Sequence, residues 1–255
     1  MSTLSYILIF TFIGSIGALI GGLALLANKS FAQRISHFLA AFAAGTLLGA
    51  AFFDLLPEAA HEAEELGIDV YLWVLTGIIV FFLMERFIHW FHHHEKQHQL
   101  EAEEKSTIPL IVAGDTLHNF VDGVVIAATF LVSVPLGIVS TFAVFAHELP
   151  QEIGDFGLLL HKGLSRKKVI LVNILSAAAA FLGAVLTYTT GEVLERQVPI
   201  LLAITSGFFI YIATSDLMPE INMEKNKKFT LIKTGLLLVG ILTIYFAVSF
   251  LEHGR

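Results

Sequence analysis

Apolar residues in this chain come in long continuous blocks, not in alternation with polar ones. Eight such blocks run over residues 4–27, 37–60, 69–91, 108–132, 135–160, 168–190, 199–219 and 229–251. Each is long enough to cross the roughly 30 Å of bilayer hydrocarbon as a helix. Backbone exposed to lipid must satisfy its own hydrogen bonds, which continuous apolar segments achieve only as helices. The pattern therefore predicts one all-α integral membrane domain over residues 1–255, with eight transmembrane helices and the lipid bilayer as its solvent. The first block exceeds the usual 7–15-residue core of a signal peptide and lacks Lys or Arg before Lys29, so it reads as a retained span.

The polar residues between blocks orient these spans. With the N-terminus outside, the alternate inside connections hold Lys29 and Arg34, then Arg86, Lys96 and Lys105. The next two inside connections hold Lys162, Arg166, Lys167 and Lys168, then Lys225, Lys227, Lys228 and Lys233. These are thirteen of the fifteen basic residues, and only Arg196 and Arg255 fall outside. The positive-inside rule thus predicts that both termini are non-cytoplasmic. The composition agrees: 15% of residues are charged, against about 25% in soluble domains. With no cysteine, disulfides and thiolate ligands are excluded. No nucleic-acid partner is expected.

Two segments repeat. FDLLPEAAH (53–61) closes the second span on the outer side, and TSDLMPEIN (214–222) closes the seventh on the inner side. One Asp-Leu-x-Pro-Glu signature in opposite orientations predicts an inverted repeat, spans one to three mirrored by six to eight. Its acidic residues suit the two mouths of a cation pathway. Asp54, Glu58 and His61 lie at the outer one, and Asp216 and Glu220 at the inner one with Asp115 and Asp155. Ordinary solvated helix ends are the competing reading.

The fourth and fifth spans carry the chemistry. GDTLHNFVDG (114–123) and HELPQEIGDF (147–156) place His118, Asp122, His147, Glu148 and Glu152 well inside apolar runs. An Asp at the centre of a spanning helix costs about 2.5–3.5 kcal/mol on insertion scales, so these groups must face one another, a cation or water. Residues four apart share a helix face. His118 therefore projects with Asp122, beside Asn119; His147 projects with Gln151, and Glu148 with Glu152. Two imidazoles with carboxylates suit zinc, and also ferrous iron, manganese or cadmium. Pro150, within the fifth span, frees the carbonyl of Ala146 and bends the axis.

These motifs resemble the ZIP (Zrt/Irt-like) family of divalent metal transporters, in the branch with a His-Glu-x-Pro-His-Glu-x-Gly-Asp motif. GTLLGAAFFDLLPEA (45–59) and GFFIYIATSDLMPE (207–220) are similar to that family's second and seventh spans. The resemblance implies a 3 + 2 + 3 arrangement of eight helices and import of zinc, iron, manganese or related cations toward the cytoplasm. It implies a primary site of His118, Asp122, His147 and Gln151, and an adjacent one using Asn119 and Glu148 with Asp122 or Gln151 bridging. It also implies a homodimer, in the plasma (inner) membrane if the source is prokaryotic. Gln151 stands where the branch has His, and Ala180 where some relatives have a metal-binding glutamate, leaving Asn173 as the strong polar candidate on the sixth span.

The connection at 92–107 carries His92, His93, His94 and His98, a tract that binds metals by composition or serves as a solvated linker. Two rivals remain. HELPQE resembles the zinc-protease HExxH helix, but Gln151 replaces the second His. A channel-like facilitator would show the same motifs as a carrier.

Overall fold

The computed structural model describes residues 2–64, 66–94, 108–191, 197–222 and 226–252. Every regular element among them is helical. The elements are α1 (Thr3–Gly14), α2 (Ile20–Ala27), α3 (Lys29–Ala50), α4 (Leu56–Glu64), α5 (Val70–His94), α6 (Ile108–Val132) and α7 (Val134–His161). There follow α8 (Arg166–Ala177), α9 (Ala179–Thr189), α10 (Val198–Tyr211), α11 (Met218–Asn222) and α12 (Lys227–Glu252). Polar residues at block edges start the helices: Ser2, Asn28 and Ser133 accept from the backbone N–H groups of Ser5, Phe31 and Leu136.

Six helical stretches are long and apolar enough to cross a membrane: Thr3–Ala27, Lys29–Glu64, Ile111–Val132, Arg166–Thr189, Val198–Leu217 and Lys227–Leu251. The block predicted as the fifth span forms the 28-residue helix α7, which is not among these six because its apolarity is diluted by the polar stretch from His147 to Asp155. Its burial explains how it carries those groups. It packs against α1, α2, α3 and α6, and Ala143, His147, Glu148 and Glu152 are all withdrawn from the surface. The helix runs unbroken through Pro150.

Three predicted boundaries shift. The first span breaks at a 3₁₀ turn, Ile16–Leu19, and the sixth at Ala178. The third helix continues to His94, so the backbone of His92, His93 and His94 forms its last turn and not a loop. A continuous helix satisfies more backbone groups than an early exit from the membrane. The side chains of these histidines, His98 and the side chain of Glu220 lie outside the described residues.

Helix pairs meet backbone to backbone at glycines. Gly45 of α3 faces the Leu237 carbonyl of α12, and Gly240 faces the Phe42 carbonyl in return. Gly207 of α10 faces the Val74 carbonyl of α5, and Gly77 faces Ile204. Gly123 of α6 and Gly183 of α9 do the same with Ala180 and Phe120. A β-carbon at any of these positions would collide with main chain, which cannot move aside as a side chain does. Membrane helices associate through such small-residue contacts, since lipid offers no hydrophobic gain on pairing.

Both Asp-Leu-x-Pro-Glu copies begin inside a π-helical turn, Ala51–Leu55 and Ile212–Leu217, which holds the Asp and Leu of each. In each, the next residue's N–H reaches back five positions, Leu56 to Ala51 and Met218 to Ala213. A proline in a regular helix clashes with the carbonyl four residues earlier. The widened turn just ahead of Pro57 and Pro219 relieves that clash, and π-bulges of this kind recur at functional sites.

Candidate metal site

The helical registers of α6 and α7 bring four donors to one point. His118 and Asp122 stand one turn apart on α6, while His147 and Glu148 are adjacent on α7. His118 Nε2 lies 3.2 Å from His147 Nε2, 3.3 Å from Glu148 Oε1 and 4.0 Å from Asp122 Oδ2. His147 Nε2 lies 3.4 Å from Asp122 Oδ2 and 3.7 Å from Glu148 Oε1. Asp122, His147 and Glu148 are 2%, 1% and 0% exposed.

The surrounding bonds orient these donors. His147 Nδ1 lies 3.1 Å from the Ala143 carbonyl, an acceptor only, so Nδ1 carries a proton, and in the neutral ring the lone pair is then on Nε2, facing the cluster. Asp122 Oδ2 and both oxygens of Glu148 have no hydrogen-bond partner among the described residues. Buried polar atoms are normally hydrogen-bonded. Two carboxylates with open acceptor atoms facing two imidazole nitrogens are a donor set of the kind that can hold a metal ion.

The other predicted ligands sit around this quartet. Gln151 lines a cavity of about 300 Å³ that also touches His118, Asp115, Asp155, Glu85 and Asp216. Asn119 is engaged at both ends of its amide. Nδ2 donates to Asp115 Oδ1 at 3.0 Å, and Oδ1 lies 2.9 Å from Ser15 Oγ. Ser15 is equally close, 2.9 Å, to the Ala177 carbonyl at the break in the sixth span. Glu152 is buried with both oxygens unpartnered, one turn from Glu148, but it is not one of the four clustered donors. Asn173 donates to the Val169 carbonyl at 2.8 Å and leaves Oδ1 unsatisfied. Ala180 contributes backbone packing against Gly123, not a donor side chain.

Asp54 lies in the first π turn and Glu58 one turn beyond, both half-buried, with His61 exposed further along α4. None of the three belongs to the quartet. Sequence reasoning missed Ser15, which joins two helix breaks to Asn119. It also missed Glu85, whose signal was an acidic residue directly following the run VYLWVLTGIIVFFLM.

A family model described as ZIP zinc transporter matches residues 2–109 and 105–247. The zinc transporter ZIP13 of Pongo abelii is 31% identical over 249 residues, covering 89% of this chain and 71% of that protein. Zinc transporter ZIP4 of Mus musculus is 39% identical over 158 residues, 60% of this chain but 24% of the relative. Zinc transporter ZIP10 of Danio rerio is 38% identical over 135 residues, 52% of this chain and 16% of the relative. The chain thus spans a quarter or less of the two longer relatives. The apolar helices make it an integral, multi-pass membrane protein, and the matches along nearly its whole length place it in the ZIP zinc transporter family.

Proposed function

We propose that this chain moves zinc across a membrane toward the cytoplasm, through a site formed by His118, Asp122, His147 and Glu148. One observation carries the reading. A cation bound tetrahedrally at about 2.0–2.1 Å holds its donors about 3.4 Å apart along each edge. The five separations given above among the four donor atoms run from 3.2 to 4.0 Å. The side chains are thus spaced for a dication, and two carboxylates match its double charge. The relatives' names support zinc; Gln151 at the cavity wall leaves iron, manganese and cadmium as further cargo to test.

Charge and shape together support this direction. The cavity reaching His118 is lined by Glu85 near the end of α5, Asp115 near the start of α6, Asp155 late in α7, and Asp216. These ends adjoin the Lys- and Arg-rich connections, which the positive-inside rule assigns to the cytoplasm. The site is therefore read as open inward, with Asp115, Asp155 and Asp216 along the way out, and Asp54, Glu58 and His61 at the outer mouth.

An eight-span, 3 + 2 + 3 inverted repeat with non-cytoplasmic termini is part of the same proposal. Its support is a double coincidence. Gly45 and Gly207 stand nine residues ahead of Asp54 and Asp216, and each makes a backbone crossing. Both stretches then enter a π turn. The hydrolase alternative is disfavoured by the quartet, where the second imidazole comes from α6 and Glu148 itself is one of the clustered groups. The deciding experiment is zinc uptake into proteoliposomes by wild type and His118→Ala. Saturable uptake lost in the variant is expected; uptake unchanged by His118→Ala and by His147→Ala would overturn the proposal.

A further inference from the structure

Asn119 adjoins His118 of the quartet in sequence, yet its amide is committed elsewhere. Nδ2 donates to Asp115 on the preceding turn of α6, at 3.0 Å to Oδ1 and 3.2 Å to the main-chain carbonyl. That carbonyl can only accept, so the end of the amide facing it is the NH₂ group, and reversing the amide would set oxygen against oxygen. The amide oxygen is thereby left to Ser15, whose hydroxyl lies 2.9 Å away where α1 ends in its 3₁₀ turn. The same hydroxyl lies 2.9 Å from the Ala177 carbonyl, at the break between α8 and α9. Asn119 is 0%, Ser15 1% and Asp115 8% exposed, so these groups depend on one another for hydrogen bonds that water would supply at a surface. The last of them, Asp115, lines the cavity that reaches His118.

We propose that Asn119 is a positioning residue and not a metal ligand: it braces the Asp115 carboxylate in the exit cavity, and Ser15 fixes the brace. The inference rests on reading the quartet as the metal site and Asp115 as part of the way out. A ligand presents a bare donor to the ion. The Asn119 oxygen faces a hydroxyl instead, and a neutral amide competes poorly for zinc with the imidazoles beside it. Asp115 gains from the arrangement directly. A buried carboxylate without a donor is costly, and the amide one turn along the helix is the donor that fixes which way it turns. Ser15 anchors that amide to two other spans, because its hydroxyl meets both Asn119 and the main chain at Ala177.

A residue that acts through Asp115 has a signature that a ligand lacks: it changes the rate of transport and leaves ion binding alone. The test uses the full chain, purified for Cd²⁺ titration and reconstituted for zinc uptake. The variants are Asn119→Ala, Asp115→Ala, the two combined and Ser15→Ala, with His118→Ala as the site control. In Asn119→Ala the number of Cd²⁺ ions bound should match wild type and Kd should stay within about threefold, while uptake falls about tenfold, as expected when a buried carboxylate loses its donor. The combined variant should transport like Asp115→Ala alone, because a brace has no effect once the group it holds is gone. Ser15→Ala should lower uptake in the same direction with Kd unchanged, and it removes a single oxygen, so it carries the test even if Asn119→Ala fails to fold. An ion lost from Asn119→Ala, or a Kd that rises beyond threefold, makes Asn119 a ligand and overturns the proposal. Wild-type uptake in Asn119→Ala or Ser15→Ala, or a combined variant well below Asp115→Ala, overturns the brace while leaving the site intact. His118→Ala that binds Cd²⁺ normally overturns the site reading instead, and Asp115→Ala with wild-type uptake overturns the reading of the exit.

Discussion

Replacing Glu148 by Gln tests the quartet most directly, because it removes one negative charge and almost no volume. Glu148 Oε1 lies 3.3 Å and 3.7 Å from the two histidine Nε2 atoms, so a cation seated among them touches it. The gross attraction between a dication and a carboxylate at about 2.1 Å is on the order of 16 kcal/mol at an effective dielectric of about 20. Dehydrating both partners cancels most of it. Removing one member of a buried charge pair measures about 3–5 kcal/mol, so zinc Kd should rise at least about 100-fold. Glu152→Gln provides the internal comparison. It lies one turn away, is equally buried and belongs to the same helix, yet it stands outside the four clustered donors, and its effect should stay under about tenfold because Coulomb attraction falls with distance. Isothermal titration of zinc into purified protein reads both. Glu148→Gln binding within about threefold of wild type, or Glu152→Gln weakening as much as Glu148→Gln, would refute the reasoning.

Three further outcomes follow. Gln151→His adds an imidazole at the cavity wall beside His118 and should tighten zinc more than manganese, read by competitive uptake. Acid should weaken uptake, because protonated imidazole cannot coordinate; uptake that stays flat from neutral to mildly acidic pH counts against His118 and His147 as ligands. Gly45→Leu and Gly207→Leu should each lower the melting temperature by a similar amount, since both drive a side chain into facing main chain at a cost of at least about 1–3 kcal/mol; one variant silent and the other unstable would break the proposed correspondence of the halves.

Length and apolarity alone determined that the chain is a bundle of membrane helices, because lipid leaves a hydrophobic backbone no other way to satisfy itself. That His118, Asp122, His147, Glu148 and Glu152 need partners was also legible, since they are ionisable groups deep in apolar runs, but the sequence reading put Gln151, not Glu148, with His118, Asp122 and His147. Spacing along single helices, however, reports only which residues share a face. It grouped Glu152 with Glu148 and Gln151 with His147, and could not say which of them meets α6. The crossing of α6 and α7 decided that, placing Glu148 within the quartet, Gln151 at the cavity wall and Glu152 beyond the cluster. Ser15 and the Tyr211–Glu85 hydrogen bond became visible only in three dimensions. Ser15 lies more than 100 positions from Asn119, and Tyr211 lies more than 120 from Glu85. A contact between distant segments leaves no periodic mark on either one; it exists only once glycine-faced helices have brought the two backbones together.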